Sequence, residues 1–293
     1  MQPSIVRSGI VNISALTLTV GLTACGGGGT GLSPADADHT AAAKYSLGLI
    51  WAKPEELARM TQIRHVLGTV ALPSFVDLSA KMPAVGNQGS EGACVAWASA
   101  YAMRGYEARR DVWSSIDPKN TAPALNISPS FVYNQINGGH DAGSSIPAAL
   151  SLMQSKGAAT LADMPYVAGQ FKTQPSAAAL ADAAHYKLSS YGYIAPNNLT
   201  SIKAELAAGS PVILAINVYN NFFLLGSNQI YSAVSGAYQG GHAVTVVGYN
   251  DSKQAVEIIN SWGPSWGTAG YGWISYPALN QIAVEAYSAI DIP

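Results

Sequence analysis

Three side chains in this sequence are of the types that together perform nucleophilic catalysis. Cys94 lies where a glycine-punctuated loop meets an alanine-rich stretch, His242 follows two glycines at the start of an apolar run, and Asn260 ends the next apolar run. A thiolate attacks a carbonyl carbon when a basic or imidazolium partner supports it and a third group orients that partner. Taken singly, Cys94 could be a buried structural thiol, His242 a structural histidine and Asn260 a turn residue.

The position of Cys94 favours a reactive thiol. It stands at the N-terminal end of a predicted helix, where the helix dipole favours negative charge, so we expect the pKa of the thiol to lie below its usual value. The sequence has only two cysteines, and the export signal described below accounts for the other, Cys25. An unpaired thiol is unusual in an exported chain, and a reactive thiol is one explanation of it.

Three stretches, in order, resemble the motifs of papain-like cysteine peptidases. Residues 87–97 are similar to the cysteine motif, 241–248 to the histidine motif, and 260–271 to the Asn-Ser-Trp-Gly motif. His242 lies 148 residues after Cys94, and Asn260 follows after another 18. In that family both partners lie roughly 130–150 residues downstream, so the asparagine is slightly late, as a modest insertion would make it. The resemblance extends from about Leu72 to the C-terminus.

The resemblance implies a role for each of the residues that it matches. Cys94 would be the nucleophile, His242 the general acid and base, and Asn260 the group that orients the imidazole. Trp262 would shield the hydrogen bond between His242 and Asn260 from water.

The resemblance also implies how a substrate is held. The side-chain amide of Gln88 and the backbone N–H of Cys94 would bind the oxyanion that forms on the attacked carbonyl. Gly143 and Ser144 resemble the Gly-Gly edge that hydrogen-bonds extended substrate backbones.

The sequence departs from the family pattern at three positions near the nucleophile and the histidine. Glu91 stands where many members carry a disulfide-bonded cysteine, Val95 replaces an aromatic residue, and Gly241 replaces an acidic one. No spare cysteine is present, so the lobe must be held by packing alone. The rate and pH range of the reaction therefore stay open, while the four main polar roles are filled.

The sequence thus predicts a cysteine-type endopeptidase that hydrolyses peptide bonds through an acyl-enzyme thioester. One alternative is acyl transfer to an amine by the same triad, as in a ligase or transpeptidase. Another is a protein that binds peptides in the cleft without cleaving them. Each of these functions requires a peptide or protein partner, and we expect the chain to be a monomer.

Composition excludes other classes of partner. Charged residues make up 11% of the sequence and the formal net charge is −2, which provides no basic field for nucleic acid phosphates. The histidines show no spacing that would bind zinc with the cysteines, so we expect no metal and no cofactor. The loop at His140 and Asp141 is interpreted as solvated, with a place near the cleft as the alternative.

The secondary structure that must position these residues is predicted to change from helices to strands along the chain. Helices are predicted over residues 94–110, 128–135, 145–154 and 199–206, and strands over 212–218, 243–249, 255–260 and 272–275. This order indicates an α+β fold. The resemblance implies a papain-like two-lobed fold over 71–293, with an N-terminal helical lobe (about 71–190), a C-terminal β-barrel-like lobe (about 191–293) and the active-site cleft between them.

The N-terminus resembles a bacterial lipoprotein. Residues 1–24 have one cationic residue, Arg7, before an apolar run that is too short to span a bilayer. The run ends in Leu-Thr-Ala before Cys25, similar to a lipobox, in which the cysteine is lipidated; a plain secretory peptide is the alternative. We expect a lipid-anchored protein of the bacterial cell envelope, facing the periplasm or the exterior.

Residues 25–70 are predicted to hold the lipidated cysteine, a tether and a possible short pro-segment. A helix is predicted over 53–67, with Pro54 in its first turn and an apolar face. It is either a pro-segment that covers the cleft or a spacer.

Overall fold

The computed structural model describes residues 44–64 and 71–291. The signal peptide, Cys25 and the last residues of the predicted helix 53–67 lie outside the described residues. Within them, no helix is long and apolar enough to cross a membrane.

The first helix, α1 (Pro54–Arg59), is shorter than predicted. It starts at a proline, as expected, but Met60 is already extended, and the chain then runs beside a strand of the sheet. Tyr193 of that strand donates its N–H to Thr61 and accepts a hydrogen bond from Ile63. The predicted continuation beyond Arg59 was wrong because these backbone groups pair with the sheet instead of with each other.

The central helix α2 consists of three consecutive segments, Cys94–Ala96, Trp97–Arg104 and Gly105–Asp111. The middle segment has π-helical geometry, which often marks functional sites. Nearly every residue of this helix is buried, and alanines at 96, 98, 100 and 102 let neighbouring elements approach closely. The prediction of a buried helix starting at Cys94 is confirmed.

The other predicted helices are confirmed to within one residue at either end. Ser128 and Ser145 each cap a helix by accepting a hydrogen bond from a backbone N–H three residues later. The remaining helices are α3 (Pro129–Ile136), α4 (Ile146–Ser155), α5 (Ala177–Ala183), α6 (Leu199–Ala207), α7 (Asn220–Phe223) and α8 (Tyr276–Ile282).

The second half contributes most of an eight-stranded sheet with the order β2-β8-β3-β5-β6-β7-β4, and β1 pairs with β5 beside this path. The strands are β1 (Phe75–Asp77), β2 (Leu188–Ile194), β3 (Val212–Tyr219), β4 (Ile230–Tyr231), β5 (Tyr238–Asn250), β6 (Ala255–Ile259), β7 (Tyr271–Ser275) and β8 (Ala283–Asp291). All four predicted strands are present, although β5 begins five residues earlier than expected.

The expectation of a barrel-like lobe is corrected by this topology. In the described residues the outermost strands of the path, β2 and β4, do not pair with each other, so the sheet is open. The α+β class is confirmed.

Most buried apolar residues of the described chain fall into two large clusters. One surrounds α2, α3 and α4, and the other lies on the sheet around Trp262 and Trp266. Where they meet, the hydroxyl of Thr245 in β5 donates to the carbonyl of Ala98 in α2 at 2.9 Å. The start of α2 is thereby fixed against the middle of β5.

Candidate active site

Cys94 is the first residue of α2, and its side chain is fully buried. The backbone of Ala243, the residue after His242 in β5, is among the groups that act on its sulfur. The fold therefore brings together the predicted thiol and the predicted histidine strand, which are 148 residues apart in sequence.

His242 is held by Asn260, as the motif spacing predicts. Its Nε2 lies 2.8 Å from Oδ1 of Asn260, which also accepts the backbone N–H of Ser261 at 2.8 Å. Because that oxygen can only accept, Nε2 carries the proton and Nδ1 of the neutral ring has a free lone pair. Nδ1 is buried and makes no hydrogen bond among the described residues. It is therefore the nitrogen available for a proton from the thiol.

The indole ring of Trp262 covers the imidazole. The two rings stack with their centroids 4.4 Å apart and their planes 24° from parallel. Trp262 is itself packed against Trp266 and Phe222 and is almost fully buried. This arrangement keeps water from one face of the histidine.

The side chain of Gln88 is fixed from both ends of its amide. Its Oε1 accepts the hydroxyl of Ser261 at 2.6 Å, so its Nε2 faces the other way and donates to the carbonyl of Glu91 at 2.9 Å. The hydroxyl of Tyr166 donates to the carbonyl of Gln88 at 2.8 Å. Sequence reasoning missed Ser261, although it belongs to the Asn-Ser-Trp-Gly stretch. It also missed Tyr166, which lies outside the three motifs.

Residues 45–52, called the covering segment below, cross this site. The carbonyl of Ser46 accepts hydrogen bonds from Nε2 of Gln88 at 3.1 Å and from Nε1 of Trp262 at 2.9 Å. The ring of Tyr45 stacks on Trp262 with centroids 4.8 Å apart. The side-chain amide of Gln88, which is expected to bind the oxyanion, is thus engaged by the chain itself.

Gly143 and Ser144 form an edge that binds the covering segment as an extended backbone. The N–H of Ser144 donates to the carbonyl of Gly48 at 2.9 Å, and its carbonyl accepts the N–H of Ile50 at 2.9 Å. Bonds to residues on either side of Leu49 make this a parallel pairing. On the opposite side, the N–H of Leu49 donates to the carbonyl of Gly241 at 3.3 Å.

The covering segment fits tightly at Gly48 and ends at a buried carboxylate. A Cβ on Gly48 would lie 2.1 Å from the carbonyl oxygen of Gly92, so no side chain has room there. Downstream, the N–H of Ala52 donates to Oε1 of Glu285 at 2.8 Å, and Tyr287 donates to the other oxygen. Sequence analysis placed these residues in the segment 25–70, which holds a tether and a possible short pro-segment, and gave them no role of their own; it missed the apolar run Leu47 to Trp51.

Burial determines the charges of the reactive pair in this covered state. It raises the pKa of the Cys94 thiol to about 12 and lowers the pKa of His242 to about 4. Both groups are therefore neutral at pH 7. The expectation that the helix N-terminus lowers the thiol pKa is wrong for the covered site, because loss of hydration outweighs the dipole.

Comparison with known proteins identifies the family. The family model described as papain family cysteine protease matches residues 72–291. A cathepsin B-like protein of Giardia intestinalis, CP3, is 32% identical over 202 residues, which are 65% of this chain and 63% of that protein. The chain therefore spans less than two thirds of the length of this relative.

Solved structures agree with that match. Xylellain, a cysteine protease from Xylella fastidiosa, superposes with a TM-score of 0.65 at 26% identity, covering 84% of this chain and 92% of xylellain. The bromelain protease of Ananas comosus in complex with the E64 inhibitor superposes with a TM-score of 0.60 at 23% identity, covering 75% and 100%, and shows the same fold. Since the family match covers both lobes and all three motifs, this chain belongs to the papain family of cysteine proteases.

Proposed function

We propose that this protein hydrolyses peptide bonds through an acyl-enzyme thioester on Cys94. The observation that carries the proposal is the arrangement of His242, whose Nε2 is fixed by Asn260 and whose Nδ1 is buried without a hydrogen-bond partner, on a strand that packs against α2. Asn260 would orient the imidazole, and the stacked ring of Trp262 would shield their hydrogen bond from water.

In the proposed reaction the thiol proton moves to Nδ1 of His242, and the thiolate attacks the carbonyl carbon of the scissile peptide bond. Nε2 of Gln88 and the backbone N–H of Cys94 donate to the oxyanion. The C–N bond then breaks, and the imidazolium returns its proton to the departing amine. Water, activated by the same imidazole, hydrolyses the thioester and restores the thiol.

We also propose that the structure represents a latent form. The covering segment occupies the hydrogen-bonding groups that a substrate needs at Gln88 and Ser144, and it also binds the indole N–H of Trp262. A substrate must therefore displace it. The role of a cleft cover, first considered for the helix after residue 53, is better supported for residues 45–52.

We further propose that the protein acts as a lipid-anchored monomer of the bacterial envelope. The support is the sequence around Cys25 alone. Incorporation of a radiolabelled fatty acid by the full chain, and its loss on Cys25→Ser, would test the anchor. Labelling that survives this substitution would refute it.

Turnover of a fluorogenic dipeptide amide tests the activity. The full chain and its Gly48→Val variant, in which the covering segment is displaced, should both hydrolyse the amide, and Cys94→Ala should abolish this in each. Persistent turnover after Cys94→Ala, or none in Gly48→Val, would refute the assignment.

The acyl-transfer alternative shares every step up to the thioester. Incubation with a peptide ester and a nucleophilic amine separates the two, because mass spectrometry distinguishes the acid from the amide product. A predominance of the amide would replace hydrolysis by acyl transfer. Binding of the dipeptide amide without either product would indicate a peptide-binding protein.

A further inference from the structure

The loop that precedes the nucleophile is joined to the substrate-binding edge by one carboxylate, that of Asp141. Its Oδ1 accepts the backbone N–H of Gly92 at 2.8 Å and the hydroxyl of Tyr133 at 2.6 Å. Gly92 is two residues before Cys94, and Asp141 is three residues before Ser144. Asp141 is exposed, as expected for a solvated loop, and its carboxylate also bridges two parts of the site.

Tyr133 extends this connection to the edge itself. Its side chain rises from α3, is fully buried, and accepts the backbone N–H of Gly143 at 3.2 Å while it donates to Asp141. The hydrogen bonds therefore run from Gly143 through the phenol to the carboxylate, which Gly92 also binds. Bonds to a charged acceptor are stronger than neutral ones.

Gly92, Asp141, Tyr133 and Gly143 are also closely packed. A Cβ built on Gly92 would lie 3.2 Å from Oδ1 of Asp141, 3.2 Å from the hydroxyl of Tyr133 and 3.3 Å from the backbone nitrogen of Gly143. No covalent bond can fix this spacing, since the only cysteines of the chain are Cys25 and Cys94. Hydrogen bonding and packing must do so.

We propose that Asp141 and Tyr133 are positioning residues that hold the Gly143–Ser144 edge at a fixed distance from Cys94. The proposal rests on the proposed peptidase function, which it deepens. Neither residue touches the reacting atoms, and both act through the backbone that binds the substrate chain.

The covering segment indicates which substrates depend on this edge. Gln88 and Trp262 bind the carbonyl of Ser46, whereas Ser144 binds residues 48 and 50, two and four residues further along. The edge thus acts on substrate backbone some residues away from the attacked carbonyl. An acylated peptide amide reaches it, and the ester of a single acetylated amino acid does not.

The experiment compares these two substrates in the full chain carrying Gly48→Val. Any remaining covering segment competes equally with both substrates, so the ratio of their kcat/KM values is independent of the fraction of open molecules. Asp141→Ala should lower kcat/KM for the peptide amide about 10- to 100-fold, mainly through KM, the size expected for lost charged hydrogen bonds. The value for the ester should change less than about 3-fold.

Two further variants and a control complete the design. Asp141→Asn keeps an acceptor oxygen for Gly92 and Tyr133 and should restore most of the ratio, while Tyr133→Phe should lower it. Asp163→Ala removes another exposed carboxylate, for which no partner is expected in the site, and should leave the ratio unchanged.

The possible results test the positioning role and the proposed peptidase function separately. An equal loss for both substrates, an unchanged ratio in Asp141→Ala, or an Asp141→Asn variant as impaired as Asp141→Ala would overturn the positioning role. If the Gly48→Val background turns over neither substrate, the proposed peptidase function fails instead.

Discussion

Replacing Gly48 by valine should open the cleft by excluding the covering segment. A Cβ at this position would lie 2.1 Å from the carbonyl oxygen of Gly92, 2.4 Å from its carbonyl carbon and 2.6 Å from its Cα. All three atoms belong to backbone beside the nucleophile, so none can swing aside as a side chain would. The bound segment must shift, and its hydrogen bonds to Ser144 must lengthen.

The size of the effect follows from the cost of overpacking. Forcing additional methyl groups into a well-packed site costs typically about 1–3 kcal/mol. At about 1.4 kcal/mol for each factor of ten, the equilibrium between covered and open cleft shifts about 5- to 150-fold towards the open form. Turnover of the dipeptide amide should rise by the same factor until most molecules are open.

Alkylation of Cys94 by iodoacetamide measures the opening without a substrate. In the covered state burial raises the pKa of the thiol to about 12, so almost no thiolate exists at pH 6. In the open state hydration returns, and the helix N-terminus and imidazole favour the thiolate. Labelling of the Cys94 peptide at pH 6 should therefore accelerate in Gly48→Val.

Ile50→Ala provides the matched control within the same segment. The side chain of Ile50 is 49% exposed, and its hydrogen bond to Ser144 uses only backbone atoms. We expect labelling and turnover close to those of the unaltered chain. Equal rates in Gly48→Val and the unaltered chain would refute the reasoning, because the covering segment would then not limit access.

Three other outcomes are expected from the residues of the site. Because burial lowers the pKa of His242 from 6.5 to about 4, the unfolded chain takes up the proton first, and the free energy of unfolding should fall by up to about 3 kcal/mol as pH drops from about 6.5 to 4. Urea titrations should show a shallower pH dependence in His242→Gln; an identical slope would contradict the buried, neutral histidine. Gln88→Ala should lower kcat about 10²- to 10³-fold through loss of an oxyanion donor, yet accelerate alkylation of Cys94 by removing one of the two hydrogen bonds that hold the carbonyl of Ser46. Asn260→Ala removes the 2.8 Å bond to His242 and should lower kcat about 10- to 100-fold with little change in KM; a change confined to KM would indicate a binding role instead.

Local sequence was sufficient for the elements that carry the site. The capping serines Ser128 and Ser145 determine the starts of two helices, and the alanine-rich texture after Cys94 identifies a helix that is buried on all sides. Such signals act within a few residues, so they can be read without the fold. The pairing of His242 with Asn260 was predictable only because the motif spacing linked two strands that turn out to be neighbours.

The remaining features depend on contacts that no local pattern records. An open sheet and a closed barrel contain the same alternating strands, and they differ only in whether β2 and β4 meet. Likewise, Asp141 lies in a stretch of glycine and polar residues that is typical of a solvated loop, and its partners Gly92 and Tyr133 come from elsewhere in the chain. The pKa of Cys94 was misjudged for the same reason, since its burial comes from a cluster that gathers residues far apart in sequence, Leu49 of the covering segment among them.

The covering segment explains why a thiol with a raised pKa is compatible with a nucleophile. A substrate peptide would bind to the same donors and the same edge as residues 46–50. The types of contact in the cleft therefore do not distinguish a substrate from the covering segment. What differs is hydration and charge. While the segment is seated, the thiol and the imidazole are both desolvated and neutral, and their proton transfer is unfavourable. Displacement readmits water, and the helix N-terminus then acts on a solvated thiolate. Under the proposed mechanism, the same residues would therefore be inert when covered and reactive when open.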